Sequence, residues 1–513
     1  MAELRKEKVV MLYYIMGIDL GGTVIKSAIY DIEGKEVEVS SLEVPLIEPH
    51  IGWEERDMNV IWQAVIDVIK DVLKKSGVKA SEIAGIGLTG YGNGVCLVDA
   101  KGEAVYHAIV SSDNRCARLC EQLVEQGIQD QIYPLTYQEF WPAQTAVLLV
   151  WLKVNMPEVL EKTAYVLSIK DYIRFKLTGE PCYEITEATC NGLMNIHTMK
   201  FDPIIFKTLD ISECFDKMPH YTGITDISGF VTEEAGLVTG LNSGTLVAGS
   251  CYDVNAGALA NGIMDDSTLC MIAGTWSINE YLTKNLVEGA NSIARSYLPE
   301  YYIMEESSPT SASNFKWFLD NVLEINKTAL SKKEIYKQCN QLVESIQPQE
   351  SDVIFIPYLF ASATHPEAKA AFFQLTSYHK RAHMIRAIYE GVVFSSMVHV
   401  KRLMDSGCRF KEARLAGGIS NSPVWSQMVC DVLQKPLIVS EASEPGALGA
   451  AICAAIAASI YPDYETAISH MVHRKKEYLP NPDLAGIYAE KLAAYEKALD
   501  MLDIYYNSME ERR

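Results

Sequence analysis

The sequence YIMGIDLGGTVIKSAIYD, residues 14–31, joins two apolar runs through an acidic residue, two glycines and a threonine. Apolar runs on either side of a Gly-Gly turn predict two strands of a hairpin. The same residues also suit a phosphate-binding loop, because glycine lets the backbone approach a phosphate and the turn supplies N–H donors. For an isolated Gly-Gly-Thr the simple hairpin is the commoner outcome.

The phosphate-loop interpretation gives each polar residue of this stretch a task. Asp19 would hold the counter-cation, because a carboxylate alone would repel the phosphate. Gly21, Gly22, Thr23 and Lys26 supply the remaining parts of the loop. The pattern G-x-x-x-x-G-K-[ST] does not occur here, which excludes a P-loop.

The strand-turn-strand pattern occurs twice along the chain. Residues 14–31 and the following EVEVSSLEV predict an antiparallel meander of three strands. The pattern restarts at residues 267–282, STLCMIAGTWSINEYL. We therefore expect a duplicated domain, with residues 1–14 as an N-terminal extension, 15–260 as the N-terminal domain and 261–513 as the C-terminal domain.

Composition narrows the class of protein. The chain has 513 residues, 49% of them hydrophobic, and a formal net charge of -21. This charge argues against nucleic acid or an anionic membrane as the main partner, since both require a basic surface. The 12 cysteines form no C-x-x-C pair, which indicates reduced thiols in the cytoplasm. We expect no signal peptide and interpret PGALGAAICAAIAASIYP as a buried, closely packed helix.

Two glycine-rich motifs have alternative explanations. GIGLTG, residues 85–90, matches G-x-G-x-x-G, but a glycine loop and a strand follow it instead of the helix that a dinucleotide site requires. It is therefore a tight turn or a substrate loop. AGGISNSP, residues 416–423, is either a simple strand-helix turn or a nucleotide site at a helix N-terminus.

Asp253 follows an apolar strand and precedes a helix of small residues. One explanation is a helix N-cap. The other is a catalytic base, which would benefit from small neighbours that let a ligand come close. The residues alone leave both explanations open.

The order of these motifs resembles the FGGY family of carbohydrate kinases from about residue 15 to about residue 465. The stretches that carry the resemblance are GIDLGGT, GWEERD, SSDNR, DYIRFKLTG, GTLVAGSCYD, AGTWS, AFFQLT, RAHMIRAIYEGVVF, AGGISNSPVW and PGALGAA. Within the family, GWEERDM, SSDNR, YPLT and SSPTSASNFKWF look most like the L-xylulose kinase branch. The resemblance implies an α/β fold of duplicated actin/Hsp70-like (ribonuclease H-like) ATPase domains with a cleft between them.

The resemblance also implies roles for individual residues. Asp253 would be the general base that accepts the proton of the attacking hydroxyl, and Asp19 would position Mg²⁺, through water. The two phosphate loops and the border of the adenosine pocket would be formed by Gly21, Gly22 and Thr23, by Gly274 and Thr275, and by Gly417, Gly418 and Asn421. Asn93 and Asp113, together with Asp253, would contact the sugar.

The implied activity is phosphorylation of the terminal hydroxyl of a small ketose by ATP with Mg²⁺. A pentulose such as L-xylulose is the expected substrate, and the alternatives are D-xylulose, an erythritol-like polyol or a hexonate. A different alternative is a non-catalytic, nucleotide-binding regulator on the same fold. The resemblance further implies a cytoplasmic protein that binds its sugar and ATP, contacts neither nucleic acid nor membrane, and forms a homodimer.

Overall fold

The computed structural model describes residues 13–274, 276–286, 293–323, 325, 330–360, 362 and 367–510. The predicted extension, residues 1–14, therefore lies outside the described residues except for its last two. Contacts between Cα atoms divide the chain into two compact units. Unit 1 consists of the described residues of Met1–Gly262, Ala294–Pro299 and Ala442–His473, and unit 2 of those of Ile263–Ile293, Glu300–Glu441 and Arg474–Arg513.

The first part of the chain alternates strands and helices. Its strands are β1 (Tyr14–Leu20), β2 (Val24–Asp31), β3 (Glu36–Glu43), β4 (Glu55–Arg56), β5 (Ile83–Gly90), β6 (Cys96–Val98), β7 (Ala108–Ile109), β8 (Tyr165–Leu167), β9 (Tyr183–Glu184), β10 (Met194–Asn195), β11 (Lys200–Phe201), β12 (Tyr221–Thr222), β13 (Ile227–Phe230) and β14 (Leu246–Ala248). Its helices are α1 (Met58–Ser76), α2 (Ala117–Glu125), α3 (Ile128–Thr136), α4 (Thr145–Asn155), α5 (Pro157–Lys162), α6 (Ile169–Thr178), α7 (Ile185–Ala188), α8 (Pro203–Thr208), α9 (Glu233–Thr239) and α10 (Asp253–Ala260).

The second part of the chain contains the longer helices. Its strands are β15 (Thr268–Ala273), β16 (Ser277–Thr283), β17 (Ile293–Ser296), β18 (Tyr302–Ser308), β19 (Ile354–Ile356), β20 (Ala371–Phe373), β21 (Glu412–Ala416), β22 (Leu437–Ser440) and β23 (Arg474–Tyr478). Its helices are α11 (Ser313–Asn321), α12 (Lys332–Glu344), α13 (Arg381–Asp405), α14 (Pro423–Leu433), α15 (Pro445–Ala457), α16 (Tyr464–Met471) and α17 (Ala485–Glu510).

The main sheet of unit 1 has the strand order β13-β14-β5-β1-β2-β3. β1, β2 and β3 form the predicted antiparallel meander. β1 pairs in parallel with β5, and β5 in parallel with β14, while β13 closes the edge in the antiparallel direction. Helix α1 covers this sheet with its apolar positions Ile61, Val65, Val68 and Ile69. Asp57 caps its first turn, and Gly77, at φ 69°, ends it in the left-handed conformation.

The main sheet of unit 2 repeats this topology. Within the unit its strand order is β18-β16-β15-β21-β22-β23. β15 and β16 form the antiparallel start of a meander with β18, β15 pairs in parallel with β21, and β21 with β22. β23 closes the edge in the antiparallel direction, as β13 does in unit 1. The shared strand order confirms the duplication that the repeated strand-turn-strand pattern predicts.

Helix α15, in the stretch PGALGAAICAAIA, packs directly against the backbone of the unit 1 sheet. A Cβ atom at Gly17 of β1 would overlap the carbonyl oxygen of Ala447, and one at Gly87 of β5 would overlap that of Ala450. Gly449, on α15 itself, contacts the Ala256 carbonyl of α10 in the same way. The expectation of a buried, closely packed helix is confirmed, and glycines on both surfaces allow the close packing.

The compact units differ in outline from the predicted division at residues 260 and 261. That division treats each domain as one continuous segment. In the structure Ala294–Pro299 and Ala442–His473 belong to unit 1, although both follow residue 261. The return of the second segment explains why α15 contacts β1 and β5.

Candidate active site

The carboxyl ends of three neighbouring parallel strands bring predicted residues of unit 1 to one edge of its sheet. The strands are β14, β5 and β1, in that order. Asp19 lies near the end of β1, Asn93 follows β5, and Asp253 follows β14. In α/β sheets ligands bind at this edge, because the loops that leave the strands converge there.

The turn between β1 and β2 is both a hairpin turn and an accessible loop. β1 ends at Leu20 and β2 begins at Val24, which leaves Gly21, Gly22 and Thr23 as the turn. A Cβ atom at Gly21 would lie 2.6 Å from the Val24 carbonyl oxygen, so a larger residue would have to move the turn. Gly22 is exposed and a Cβ atom there would contact nothing within 4 Å. Arg56 Nη2 donates to the Gly22 carbonyl oxygen, so the protein holds that oxygen while the Cα of Gly22 faces open space.

Asp19 lies against the first turn of α15. A Cβ atom at Gly446 would lie 2.7 Å from Asp19 Oδ2, so glycine at this position makes room for the carboxyl group. Burial raises the pKa of Asp19 to about 6; Lys26 opposes this rise and Glu444 adds to it. Lys26 Nζ donates to Glu444 Oε2 at 2.5 Å, so its ammonium group already has a carboxylate partner.

Asp253 is the first residue of α10, and Tyr252 occupies the N-cap position without a side-chain cap bond. The aspartate is therefore not the N-cap that sequence reasoning left open. The loop before it contains a left-handed non-glycine residue, Ser250, at φ 61°. Such a conformation persists only where surrounding contacts enforce it.

Residues of three other elements fix the loop Gly249–Tyr252 through four hydrogen bonds. Their bonds are Arg174 Nη1 to the Gly249 carbonyl (2.9 Å), Leu88 N–H to Ser250 Oγ (2.8 Å), Thr89 Oγ1 to the Cys251 carbonyl (2.8 Å) and Tyr252 N–H to Thr186 Oγ1 (2.9 Å). Each residue of the loop therefore has at least one long-range contact. The position of Asp253 is set by strand β5, helix α6 and helix α7 together.

A buried ionic network lies next to this loop. Lys170, Asp171, Arg174 and Glu184 are all 0% exposed. Lys170 Nζ donates to Asp171 Oδ1 at 3.0 Å and to Glu184 Oε2 at 3.4 Å, and Arg174 Nη2 pairs with Asp171 Oδ1 at 2.9 Å. Against the effect of burial, Arg174 and Lys170 lower the pKa of Asp171. Glu184 Oε2 also accepts from Thr186 Oγ1 at 2.7 Å, which orients the hydroxyl that accepts the Tyr252 N–H.

Asn93 belongs to a tightly held loop after β5. It has φ 63° and is 4% exposed. Its backbone N–H donates to Glu187 Oε1 at 2.6 Å. The next residue, Gly94, donates to the Ala143 carbonyl at 2.8 Å and accepts from Thr145 Oγ1 at 2.7 Å. This part of the predicted sugar site is thus anchored to helices α4 and α7.

Asp113 forms a separate cluster. Its Oδ2 accepts the Glu54 N–H at 2.6 Å, and its Oδ1 accepts from the Arg115 backbone N–H and Nε, both at 2.9 Å. Arg115 also contacts Glu55 at 2.8 Å and lies 4.3 Å over the ring of Trp53. The carboxylate of Asp113 therefore orders its own loop, and its contact with the sugar stays a prediction.

The predicted nucleotide residues of unit 2 lie at the carboxyl ends of β15 and β21. Ile272 pairs with Ala416, so Gly274 and Gly417 follow adjacent strands. Gly417 has φ 88°, and a Cβ atom there would lie 2.5 Å from the Ala273 carbonyl oxygen. The exposed residues Gly417, Gly418 and Asn421 precede α14, which Ser422 caps. Thr275 lies outside the described residues.

The described residues of the site could bind a cation that is also held by phosphate, but they do not form a metal site made of protein ligands alone. In the described part of the chain, no group of three or more His, Cys, Asp or Glu side chains could hold a metal ion. Mg²⁺ commonly binds through one or two carboxylates, with phosphate oxygens and water as the other ligands. Asp19, beside an accessible turn, matches this requirement.

Comparison with known proteins gives the family. Residues 14–260 match the N-terminal domain of the FGGY family of carbohydrate kinases, and residues 269–458 match its C-terminal domain. The chain is 33% identical over 507 residues to the L-xylulose/3-keto-L-gulonate kinase of Escherichia coli strain K12, which covers 98% of this chain and 99% of that protein. The chain belongs to the FGGY family of carbohydrate kinases. It is an ATP-dependent sugar kinase, as the sequence motifs predict.

Other relatives and solved structures agree with this assignment. The probable L-xylulose kinase of Pasteurella multocida is 35% identical over 496 residues, with 94% of this chain and 98% of that protein covered. The xylulose kinase structure from Lactobacillus acidophilus aligns with a TM-score of 0.88 at 23% identity, over 97% of this chain and 100% of that one. Plasmodium falciparum glycerol kinase with ADP aligns with a TM-score of 0.85 at 22% identity, over 96% and 98%. The predicted duplicated actin-like fold is confirmed.

Sequence reasoning missed the residues that support the site. Arg174, Thr186 and Glu187 belong to helices α6 and α7. The stretch DYIRFKLTG, which contains Arg174, carries the family resemblance but indicates no role for that arginine. These polar side chains matter because the fold buries them beside the site, and a sequence does not show which polar residues are buried. The sequence contained only an indirect indication of the packing around the site. Glycines inside strands β1 and β5 indicate that another backbone segment packs closely on the sheet, and in the structure this segment is α15.

Proposed function

We propose that this kinase transfers the γ-phosphoryl group of ATP to the terminal hydroxyl of a pentulose such as L-xylulose. The observation that carries the proposal is the position of Asp253. It begins α10 at the carboxyl edge of the sheet, on a loop held by four long-range hydrogen bonds, among them that of Thr89 to the Cys251 carbonyl. The names of the E. coli and P. multocida relatives support the choice of sugar.

Asp253 accepts the proton of the attacking hydroxyl in this proposal. A general base must lie within hydrogen-bond reach of that hydroxyl, and a rigid loop keeps it there. Phosphoryl transfer depends mainly on positioning and on neutralising phosphate charge. Backbone N–H groups can supply part of that neutralisation, which suits a chain with a formal net charge of -21.

The remaining predicted residues have proposed roles within each unit. In unit 1, Gly21, Gly22, Thr23 and Lys26 are proposed to contact phosphate, with Lys26 released from Glu444 when it does so. In unit 2, Gly274, Thr275, Gly417, Gly418 and Asn421 are proposed to bind ATP. Asp19 would hold Mg²⁺ through water, and the ion would neutralise phosphate charge. On the sugar side, Asn93 and Asp113 are proposed to contact hydroxyl groups.

The cellular setting is also part of the proposal. All 12 cysteines are buried thiols, which fits a reducing cytoplasm. Of the helices in the described ranges, none is long and apolar enough to cross a membrane. We propose a cytoplasmic enzyme that forms a homodimer and uses neither nucleic acid nor membrane as a partner.

The experiment is a coupled ADP-release assay with Mg-ATP and a panel of L-xylulose, D-xylulose, erythritol and a hexonate. We expect the highest kcat/KM with a pentulose. The absence of sugar-dependent ADP release with every compound, together with retained ATP binding, would contradict the proposal and favour a nucleotide-binding regulator.

A further inference from the structure

Buried polar groups without a partner surround the loop Gly92–Gly94 of unit 1. Glu187 and Gln144 are 0% exposed and Asn93 is 4% exposed. Within the part of the chain that the structure describes, Glu187 Oε2, Asn93 Oδ1 and both amide atoms of Gln144 have no hydrogen-bond partner. A buried polar atom without a partner destabilises the folded protein, because it has lost its hydrogen bonds to water. Such a concentration of unmet hydrogen bonds indicates a ligand that supplies them.

The three side chains belong to one locality. The Asn93 N–H donates to Glu187 Oε1 at 2.6 Å. The two neighbours of Gln144 in sequence, Ala143 and Thr145, both bind Gly94. The backbone of Gln144 therefore lies beside the same loop that Glu187 holds, and the amide group of Gln144 lies against Gly192.

The cluster also adjoins the loop of the proposed base. A Cβ atom at Gly92 would lie 2.8 Å from Glu187 Oε2 and would overlap the ring of Tyr252. Glu187 Oε2 and that ring therefore face the same side of Gly92. Tyr252 immediately precedes Asp253, and Thr186, next to Glu187, accepts the Tyr252 N–H.

The hydrogen-bonding chemistry of Glu187 suits a neutral partner. Burial raises the pKa of Glu187 to about 8; Lys170 opposes this rise, and Asp171 and Glu184 add to it. Near pH 7 the carboxyl group is mostly protonated, so one oxygen accepts from Asn93 while the other carries a donor. Gln144 offers one donor pair and one acceptor. Sugar hydroxyls both donate and accept, and therefore match both side chains.

We propose that Glu187 and Gln144 are specificity-determining residues, which bind hydroxyl groups on the part of the sugar that is not phosphorylated. The inference rests on the proposed function, because it defines the substrate class of the same site as an uncharged, polyhydroxylated chain. A site built to bind a hydroxyl group rejects an analogue that lacks it, since its own polar groups then stay unpaired.

The test measures sugar binding to the full-length protein by calorimetry without nucleotide, so that it does not depend on turnover. The ligands are L-xylulose, D-xylulose and their 1-deoxy analogues. We expect Q144L and Glu187→Ala to raise Kd at least about fivefold, the lower end of the cost of one unmatched buried polar group. Glu187→Gln should keep Kd within about twofold, since its amide can donate from the same position.

Two further measurements separate recognition from a structural role. A double-mutant cycle compares each sugar with its 1-deoxy analogue in the unsubstituted protein and in Q144L and Glu187→Ala. Removal of the 1-hydroxyl should raise Kd by a smaller factor in one of these two variants than in the unsubstituted protein. Without sugar, Q144L should be as stable as the unsubstituted protein or more stable, because the variant removes two unpartnered polar atoms.

Glu390→Gln is the matched control. Glu390 is 2% exposed, belongs to unit 2 and pairs with Arg386 and Lys491. Its substitution should therefore leave the affinity for sugar unchanged.

The outcomes separate the two proposals. Unchanged Kd values in Q144L and Glu187→Ala, with ADP release intact, would overturn the specificity role and leave the kinase proposal standing. Sugar binding that depends on these residues, without ADP release, would support the specificity role and contradict the proposed reaction. If Glu187→Ala does not fold, the stability and the affinity of Q144L decide the matter. No binding of any sugar by the unsubstituted protein would overturn the inference.

Discussion

Asp253 shows how one carboxylate is placed by groups distant in sequence. Its own neighbours explain only the start of α10, since Tyr252 occupies the N-cap position without a side-chain bond. The loop before it depends on Arg174, Thr89 and Thr186. The left-handed conformation of Ser250 is the local cost of this arrangement.

Asp253→Asn should remove most turnover and leave nucleotide binding unchanged. The amide cannot accept the proton of the attacking hydroxyl, and loss of a general base lowers rates by about 10²–10⁴-fold. Steady-state ADP release measures kcat, and calorimetric titration with ATP measures Kd. Full activity in the variant would contradict the base assignment.

Asp19→Asn should stabilise the protein without ligands while lowering its activity. The pKa of Asp19 is raised from 3.8 to about 6 in the folded protein. Folding therefore favours the protonated form, and stability decreases as pH rises from about 4 to about 6, then stays lower above that range. An asparagine avoids this loss. We therefore expect the free energy of unfolding at pH 7.5 to be about 1–2 kcal/mol higher in Asp19→Asn, a value reduced because the carboxyl group is partly exposed.

Urea unfolding at pH 7.5 and near pH 4, without nucleotide, measures this effect. The two proteins should differ at pH 7.5 and converge near pH 4. A destabilised variant at pH 7.5 would contradict the burial argument, and an unchanged Mg²⁺ dependence of ADP release would contradict the metal role.

At the scale of elements, helix α15 depends on glycine in the strands beneath it. Gly87 lies inside β5, where a Cβ atom would overlap the Ala450 carbonyl and lie 3.0 Å from Ser250 Oγ. Gly87→Ala should therefore cost about 3 kcal/mol or more of unfolding free energy, the upper range for an overpacked core.

Gly486→Ala is the matched control for this substitution. Gly486 lies near the start of α17, and a Cβ atom there would contact nothing within 4 Å. Alanine should stabilise the helix by up to about 1 kcal/mol. Equal effects of the two substitutions in denaturant unfolding would contradict the packing explanation.

Arg174→Met should lower both stability and kcat. The arginine binds the Gly249 carbonyl and pairs with the buried Asp171, so its loss leaves an uncompensated charge and a loosened base loop. Removal of one partner of a buried ion pair costs about 3–5 kcal/mol. Thermal unfolding and ADP release measure the two effects. A change in stability alone, with kcat unchanged, would show that the network does not position Asp253.

The sequence predicted local elements well and their assembly less well. The hairpin of β1 and β2 and helix α1 follow from apolar periodicity and turn glycines, which act between near neighbours. The small residues of α15 indicated a closely packed helix, but not which sheet it would cover. The ionic network of Lys170, Asp171, Arg174 and Glu184 could not be predicted, because its members acquire their significance only when the fold buries them together.

At the scale of the whole molecule, the two units share one strand order but carry different residues at the carboxyl edges of their sheets. In unit 1 the carboxyl edge of the sheet carries Asp19, Asn93 and Asp253. In unit 2 the equivalent edge carries Gly274 and Gly417, without a carboxylate among the predicted residues. The duplicated topology thus supplies a framework for loops, and the residues in the loops decide what each unit binds.

The isolated fragment 13–262 should fail to fold, because it lacks α15 and α16. Fusion of residues 442–473 to its C-terminus through a flexible linker should restore a cooperative unit, since α15 covers β1 and β5. Circular dichroism and thermal unfolding of both fragments measure this. A stable, cooperative fragment 13–262 would contradict the assignment of α15 to the core of unit 1.

The late position of α15 in the chain also constrains biosynthesis. A ribosome makes the N-terminal segment first, but the helix that supports Asp19 and contacts α10 is made only after residue 444. Chains that terminate early therefore contain Asp253 and all of the proposed sugar-binding residues without the packing of α15. Such products would be recognised by proteases as unfolded before they could bind sugar or ATP unproductively.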